Sequence, residues 1–259
     1  MSGEVGTARA VLRYEWRCLV SLRGGLVLLA AALLSASSTV VTASSLAPAA
    51  RYLRGAVPFA ETVVYAPMGF LAVLLYIVGA MSLGHDYRYR RALVLHVAVP
   101  RRTRSYAAKL AFAITVGTTG ALVAVAAGAI GVWLNGDATV LRPAGGLSAA
   151  VLIAVRCWCA AAFYVVAAFS TTALTGSFMW GLLTPVLASS VVESVLQIVM
   201  SDRMPWLSYV LPFSAVRHTL GLGTGAGAPG GPAAQYGIVL AWALVLAVAG
   251  GYRYVRREW

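Results

Sequence analysis

Six long apolar runs, separated by shorter polar stretches, dominate the chain. They cover residues 24–46, 63–83, 110–134, 147–169, 176–200 and 235–252. Each run has roughly the 20 mainly apolar residues that a helix needs to cross a bilayer. The short alternating segments that mark the strands of a membrane barrel are absent from the sequence. The pattern predicts an all-α integral membrane protein with six transmembrane helices in a single domain, residues 1–259.

The stretch before the first run, residues 7–23, has the periodicity of an amphipathic helix. Arg9, Arg13 and Arg17 fall on one face at 100° per residue, and apolar side chains fill the opposite arc. We expect this helix to lie on the membrane surface. Glu15 falls within the apolar arc, where its carboxylate either reaches water along the helix or pairs with an arginine of a partner or of this chain.

Two connections between the runs have distinctive compositions. The stretch FSTTALTG at 169–176 is short and uncharged, and predicts a tight hairpin with its turn near Ala173. The first half of the external segment 201–234 contains MPWLSYVLPFSAV at 204–216, which is apolar but includes Pro205 and Pro212. We expect it to form short broken helices in the outer membrane interface, followed by a glycine-rich linker.

Composition and charge agree with a membrane location. Hydrophobic residues make up 60% of the chain and charged residues 11%, and the mean hydropathy is +0.82. The net charge of +12 does not indicate nucleic-acid binding, because the charges lie beside the ends of the apolar runs. Fourteen basic residues fall on the side of the two termini and five on the other. The positive-inside rule therefore places both termini in the cytoplasm.

Two ionisable side chains, Arg156 and Glu193, lie inside predicted spans. With a turn near Ala173, they would lie about 26 and 30 Å from it at a rise of 1.5 Å per residue, and hence at similar depth. Ionisable residues in spans are usually paired or face a cavity. Two interpretations stay open: a structural pair that holds the hairpin together, or side chains that line a substrate path or gate.

Patterns for catalysis or metal binding are missing from the sequence. The chain has eight acidic residues and three histidines, without metal-ligand spacing, and contains no GxSxG, HExxH or GxxxxGK[ST]. We therefore expect no enzyme activity and no metal or nucleotide bound by this chain. Energy for any transport would have to come from another subunit.

The most distinctive polar segment, residues 84–109, separates the second and third runs. It reads DYR at 86–88, then LVLHVA, VPRR at 99–102 and AAK at 107–109. Together with the amphipathic helix, the six runs and the broken external segment, it resembles the membrane subunit of ATP-binding-cassette (ABC) exporters of the type 2 permease class. The resemblance covers nearly the whole chain. Arg90 and Arg91 stand where this family pattern has small residues.

The resemblance implies that residues 84–109 form a cytoplasmic coupling loop that docks on a separate ATPase. Its charged residues would pair with the ATPase and its apolar run would supply the contact area. The residues assigned to this contact are Asp86, Arg88, Arg91, Leu93, Leu95, Pro100, Arg101 and Arg102. A loop that only sets topology would explain the arginines, but not the apolar run or the proline.

The resemblance also implies an assembly in the bacterial cell membrane. Two copies of the permease would form a homodimer with a substrate path between them, and two ATPase subunits would hold ATP and Mg. The expected cargo is a hydrophobic or amphipathic compound, such as a drug, peptide or lipid, moved outward by alternating access. An importer-like or immunity role is an alternative within the family. A channel or membrane scaffold without coupling to ATP is an alternative outside it.

Overall fold

A computed structural model describes residues 68–88, 102–134, 146–200, 203–220 and 231–257, together with Trp16, Arg17, Leu33, Ser37 and Val41. Regular structure in these residues is entirely helical, which confirms the all-α prediction for this part of the chain. The helices are α1 (Met68–Arg88), α2 (Arg102–Leu134), α3 (Gly146–Thr175), α4 (Phe178–Leu187), α5 (Glu193–Met200), α6 (Leu207–Val210), α7 (Pro212–Thr219) and α8 (Gly231–Arg256).

Within the described residues, four helical stretches are long and apolar enough to cross a membrane. They lie in α2, in α3, in the stretch formed by α4 and α5, and in α8, and they correspond to the predicted third to sixth runs. The second run corresponds to α1, which has a shorter apolar stretch, Leu71–Tyr87. The predicted first span, 24–46, lies outside the described residues except for three helical positions. The count of six spans stays a prediction.

Helix α3 is the central element of the described bundle. It packs against α1, α2, α4 and α8, and the buried side chains along it include Cys157, Ala160, Ala161, Ala167 and Ala168. Small side chains allow neighbouring helices to approach closely, which is how helices associate in lipid. Large apolar side chains instead cover the outer surfaces of α5 and α8, as on Ile198 (78% exposed) and Val248 (69% exposed).

Two glycines allow α1 and α2 to approach the central helix closely. A Cβ added to Gly79 of α1 would lie 2.5 Å from the Val165 carbonyl oxygen of α3, and one added to Gly117 of α2 would lie 2.4 Å from Val165 Cγ2. Real Cβ atoms essentially never come this close. The lack of a side chain at Gly79 and Gly117 therefore allows α1 and α2 to pack closely against α3 at the level of Val165.

The predicted hairpin between the fourth and fifth runs is present, but its turn was placed about one helical turn too early. Helix α3 continues through Ala173 to Thr175, and the turn is formed by Gly176 and Ser177. Gly176 has a φ of +70°, the left-handed conformation that favours glycine, and its N–H donates to the Thr172 carbonyl (2.8 Å). The Thr172 and Thr175 hydroxyls donate to carbonyls four residues earlier, so these two polar side chains are satisfied within the helix.

Pro185 interrupts the hydrogen-bond ladder of the fifth run without ending the helix. Because proline has no N–H, the Gly181 carbonyl four residues earlier lacks its usual helical donor. The Thr171 hydroxyl of α3 lies 2.9 Å from that carbonyl oxygen and donates to it. A π-helical turn, Ala188–Val192, follows the proline and joins α4 to α5.

Two short helices, α6 and α7, occupy part of the predicted external segment 201–234. They are separated at Leu211, whose extended backbone precedes Pro212, the first residue of α7. The Trp242 indole N–H of α8 donates to the Val210 carbonyl at the end of α6 (2.8 Å). The broken helices expected from the two prolines are thus present, whereas their position at the outer face of a membrane stays a prediction.

Candidate functional site

The ends of five helices meet at one end of the bundle, which we call the basic end. It consists of the C-terminal ends of α1, α3 and α8 and the N-terminal ends of α2 and α4. Sequence analysis places these same ends on the cytoplasmic side, and residues 89–101 of the predicted coupling loop lie between the end of α1 and the start of α2.

A buried ion pair joins the two flanks of the predicted coupling loop. Lys109 Nζ of α2 lies 2.7 Å from Asp86 Oδ2 of α1, and the side chains are 0% and 7% exposed. Removing two charges from water is costly, so such a pair persists only with close contact. The residues that begin and end the family-like segment are therefore held together in the protein interior.

Arg102, the first residue of α2, binds the end of α8. Its Nη1 donates to the carbonyls of Val255 (3.0 Å) and Arg257 (2.9 Å). The last carbonyls of a helix lack donors within the helix, and a cation there also interacts favourably with the helix dipole. Arg102 therefore anchors the outgoing end of the predicted coupling loop to α8.

Arg257 extends this connection to α1 and to the hairpin turn. Its Nη2 donates to the Thr175 carbonyl at the end of α3 (3.3 Å), and its guanidinium lies 5.1 Å from the centre of the Tyr87 ring. A Cβ on Gly176 would lie 1.8 Å from Arg257 Nη1. The absence of a side chain at Gly176 thus makes room for the guanidinium as well as for the turn.

An aromatic layer lies under these polar contacts. The Tyr106 ring packs against Phe169 (centroids 5.2 Å apart) and Tyr254 (5.5 Å), and its hydroxyl donates to the Ala247 carbonyl of α8 (2.9 Å). Gly250 permits this contact, because a Cβ there would lie 2.8 Å from the Tyr106 hydroxyl oxygen. Helices α2, α3 and α8 are therefore joined just inside the basic end.

The structure describes only some of the residues predicted to contact an ATPase or the membrane surface. Asp86 and Arg102 bind groups of this chain, and Arg88 is the last residue of α1. Arg17 is helical and exposed. The remaining predicted residues lie outside the described part of the chain: Glu15, Arg13, Arg91, Leu93, Leu95, Pro100 and Arg101. The predicted contacts of the whole set stay predictions.

A second polar group, the Glu193 cluster, lies farther from the basic end and consists of Glu193, Gln197, Phe213, Ser214 and Arg217. The buried Glu193 carboxylate accepts a hydrogen bond from the Phe213 N–H (2.8 Å, Oε1) and another from the Ser214 hydroxyl (2.7 Å, Oε2). Both donors belong to the first turn of α7, whose N–H groups have no partner within the helix. Glu193 therefore caps α7 from a different helix, and its charge complements the helix dipole.

Arg217 and Gln197 complete the Glu193 cluster. Arg217 Nη2 lies 3.6 Å from Glu193 Oε2 and donates to Ser214 Oγ (3.1 Å), and the Gln197 amide donates to the same hydroxyl oxygen. The Arg217 side chain is 37% exposed, so its charge faces the surface while the carboxylate is buried. Burial, followed by the charge of Arg217, lowers the pKa of the neighbouring His218.

Aromatic rings fix the position of α7 against the bundle. Phe213 lies next to Tyr76 of α1 and Phe163 and Tyr164 of α3, with ring centroids 6.2, 5.4 and 6.5 Å away. Tyr164 precedes the end of α3 by a length of about 16 Å at 1.5 Å per residue. Helix α7 thus begins deep within the bundle, where an uncapped N-terminus in lipid would be especially costly.

The proposed pair between Arg156 and Glu193 stays a prediction. Arg156 is half-buried on α3, and the contacts described for the Glu193 carboxylate come from α7. With the turn at Gly176, Arg156 lies about 30 Å from the turn and Glu193 about 26 Å, so their depths differ by less than one helical turn. The capping role of Glu193 was missed because it depends on the position of a distant helix. Pro212, a residue favoured in the first turn of helices, was the available signal.

The fold and these contacts define a class of protein but not a family. The described part of the chain is a helical bundle with four helices long and apolar enough to cross a membrane, as expected for a membrane protein. Among the described residues, no group of three histidine, cysteine or acidic side chains could hold a metal ion. Neither a protein-family model nor a curated protein matches the chain.

Proposed function

We propose that this chain is the permease subunit of an ABC exporter of the type 2 class, and that it moves a hydrophobic or amphipathic compound outward across a bacterial cell membrane. The observation that carries the proposal is the segment DYR, VPRR and AAK at 86–109 between two apolar runs. Its buried flanking pair and the attachment of Arg102 to α8 support it, because a loop that receives force needs firm connections to the spans.

The contacts at the basic end refine which residues would meet the ATPase. Asp86 and Arg102 already bind groups within the chain, so they are better suited to hold the loop than to contact a partner. The docking surface would then consist of the residues between them. Arg91 and Arg101 would pair with acidic groups of the ATPase, and Leu93, Leu95 and Pro100 would supply apolar area.

The same proposal includes the topology and the assembly. Six spans would place both termini in the cytoplasm, with residues 7–23 on the membrane surface and 201–234 entering the outer interface. Two copies of the chain would form the substrate path between them, and two ATPase subunits would bind ATP and Mg. The large apolar side chains on α5 and α8 suit contact with lipid or with a second copy.

Charge reversal on the two sides of the predicted topology tests the proposal. Arg101→Glu should abolish co-purification with an ATPase encoded beside this chain, because it removes a positive charge from the docking surface and adds repulsion. Arg203→Glu is the matched control: Arg203 is exposed and belongs to the predicted external segment, so ATPase binding should be retained.

Transport and ATP hydrolysis by reconstituted vesicles provide the second measurement. The proposal requires that Arg101→Glu lowers both activities relative to Arg203→Glu. If an ATPase never co-purifies with the unmodified chain, and vesicles show solute flux without ATP, the chain is a channel. ATP-dependent uptake from the external side would instead indicate an importer.

A further inference from the structure

We infer that the role of the Asp86–Lys109 ion pair is to position the coupling loop rather than to stabilise the fold. The inference rests on the proposed function for the identity of the loop. The pair closes the chain between two helices across a distance of 2.7 Å. The pair therefore fixes the end of α1 against the start of α2, the two helices that residues 89–101 connect.

The energy of buried ion pairs supports a positional role. The attraction between the charges is largely offset by the loss of hydration, so replacing both residues of such a pair by apolar ones is often neutral or stabilising. Removing one partner has a different effect, because it leaves a buried charge without its counter-ion. Because Lys109 is 0% exposed, a displacement of Asp86 would lengthen this charge contact at a place where water cannot replace it. The pair therefore favours one register of α1 against α2.

The surrounding contacts show which helices would move together with the loop. Lys109 lies seven residues, or about 10 Å, into α2 from Arg102, and Arg102 holds the carbonyls of Val255 and Arg257 in α8. Arg257 in turn donates to Thr175 at the end of α3. A push on a loop with a fixed base would therefore move α1, α2 and α8 together, whereas a loop with an open base would absorb it by bending. Asp86 and Lys109 are thus positioning residues for coupling.

Two variants of the full chain distinguish a role of the ion pair in positioning the loop from a role in stabilising the fold. Asp86→Asn removes one charge and leaves Lys109 buried without its counter-ion, so its midpoint of unfolding in detergent should fall. Asp86→Leu combined with Lys109→Met removes both charges and should restore that midpoint to the level of the unmodified chain. The double variant keeps the inference testable if Asp86→Asn fails to fold.

Spin labels at His85 and Arg104, two exposed positions that flank the pair, report the geometry of the loop base in lipid nanodiscs. We expect a narrow distance distribution in the otherwise unmodified chain and a broad one in the double variant. In vesicles that contain the ATPase, the ratio of compound transported to ATP hydrolysed should also fall in the double variant.

The outcomes are distinct for the inference and for the proposed function. A stable double variant with a narrow distance distribution, or with an unchanged transport-to-hydrolysis ratio, overturns the inference. A double variant that stays as unstable as Asp86→Asn also overturns it, because the pair would then be needed for the fold. If the unmodified chain binds no ATPase, the proposed function fails, whereas the distance distributions still decide whether the pair fixes the loop base.

Discussion

Glu193 is a charged residue within an apolar run. The main described contacts of its carboxylate come from α7, a helix about 20 residues later in the chain. Its carboxylate accepts from the Phe213 N–H and the Ser214 hydroxyl, and Arg217 lies close to the same carboxylate. An acidic residue in a span is often taken as evidence of a transport site. Here the carboxylate caps α7, and this gives Glu193 a structural role whatever the function of the protein.

Replacing Glu193 by alanine should destabilise the protein, because two buried donors of α7 would lose their acceptor. A buried polar group left without a partner costs about 1–3 kcal/mol. Glu193→Gln keeps an acceptor oxygen and should cost less. Unfolding in detergent, with Ser190→Ala at an exposed neighbouring position as the control, measures the difference. Equal stability of Glu193→Ala and the control would contradict the capping role.

Gly181 allows the closest contact within the α3–α4 hairpin. A Cβ at this position would lie 1.8 Å from Thr172 Oγ1 and 2.9 Å from its Cα. Gly181→Ala should therefore destabilise the hairpin by about 1–3 kcal/mol, the usual cost of overpacking. Gly237→Ala in α8 is the matched control: it meets no atom within 4 Å, and should be neutral or slightly stabilising because alanine favours helix.

The Gly181 prediction includes a rescue that identifies the cause. Truncating Thr172 to alanine removes the atom that a Cβ at Gly181 would meet first. The combination Gly181→Ala with Thr172→Ala should recover part of the lost stability. If Gly181→Ala and Gly237→Ala unfold at the same temperature, close packing at Gly181 is not required.

Among the helices, the fifth run shows how a helix can contain a proline when a side chain of a neighbouring helix replaces the missing backbone donor. Pro185 cannot supply the N–H that the Gly181 carbonyl would normally accept. The Thr171 hydroxyl lies close to carbonyls of its own helix and to that of Gly181, but it has one proton to donate. The Ala167 carbonyl already has its backbone donor in α3, so the proton contributes most at Gly181.

A double-mutant cycle tests this substitution of a hydroxyl for a backbone donor. Thr171→Val should cost about 1–3 kcal/mol in the presence of Pro185, because the Gly181 carbonyl then loses its donor. In a Pro185→Ala background the helix supplies its own N–H, and Thr171→Val should cost less. The measured quantity is the coupling free energy from unfolding of the four proteins. Additive effects would show that the two residues are independent.

At the scale of the whole molecule, the described helices share one polar end. Contacts from Arg102 and Arg257 bring together the ends of α1, α2, α3 and α8, and Phe178 at the start of α4 lies against Gly84 of α1. Arg102, Arg253 and Arg257, which sequence analysis assigns to the cytoplasm, therefore lie at one end of the described bundle. Labelling from either side of the membrane tests which side this end faces.

Cysteine labelling in intact cells tests the orientation. In a background without native cysteines, Arg203→Cys should react with a membrane-impermeant maleimide from outside, and Arg253→Cys should react only after the cells are permeabilised. Both side chains are exposed in the structure, so a difference in reactivity reports the side of the membrane. The reverse pattern would invert the predicted topology.

Features that depend on neighbouring residues in the sequence were easier to predict than features that depend on contacts between distant parts of the chain. Runs of apolar residues, and breaks at Pro205 and Pro212, depend on local composition, and the helices lie close to where these patterns place them. The turn expected near Ala173 was misplaced because a threonine-rich stretch is ambiguous: its hydroxyls bond the preceding helical turn as readily as they would end the helix.

The sequence by itself determined an apolar, helical chain with its positive charges beside the ends of the spans, because hydrophobic length and helix geometry are local properties. Only the tertiary structure decided the partners of the buried polar groups: Lys109 for Asp86, the start of α7 for Glu193, and the end of α8 for Arg102. In an apolar environment each such group requires a partner, and several partners would satisfy the chemistry. The choice among them depends on which helices pack together, and that is set by close contacts such as Gly79 and Gly117 against α3.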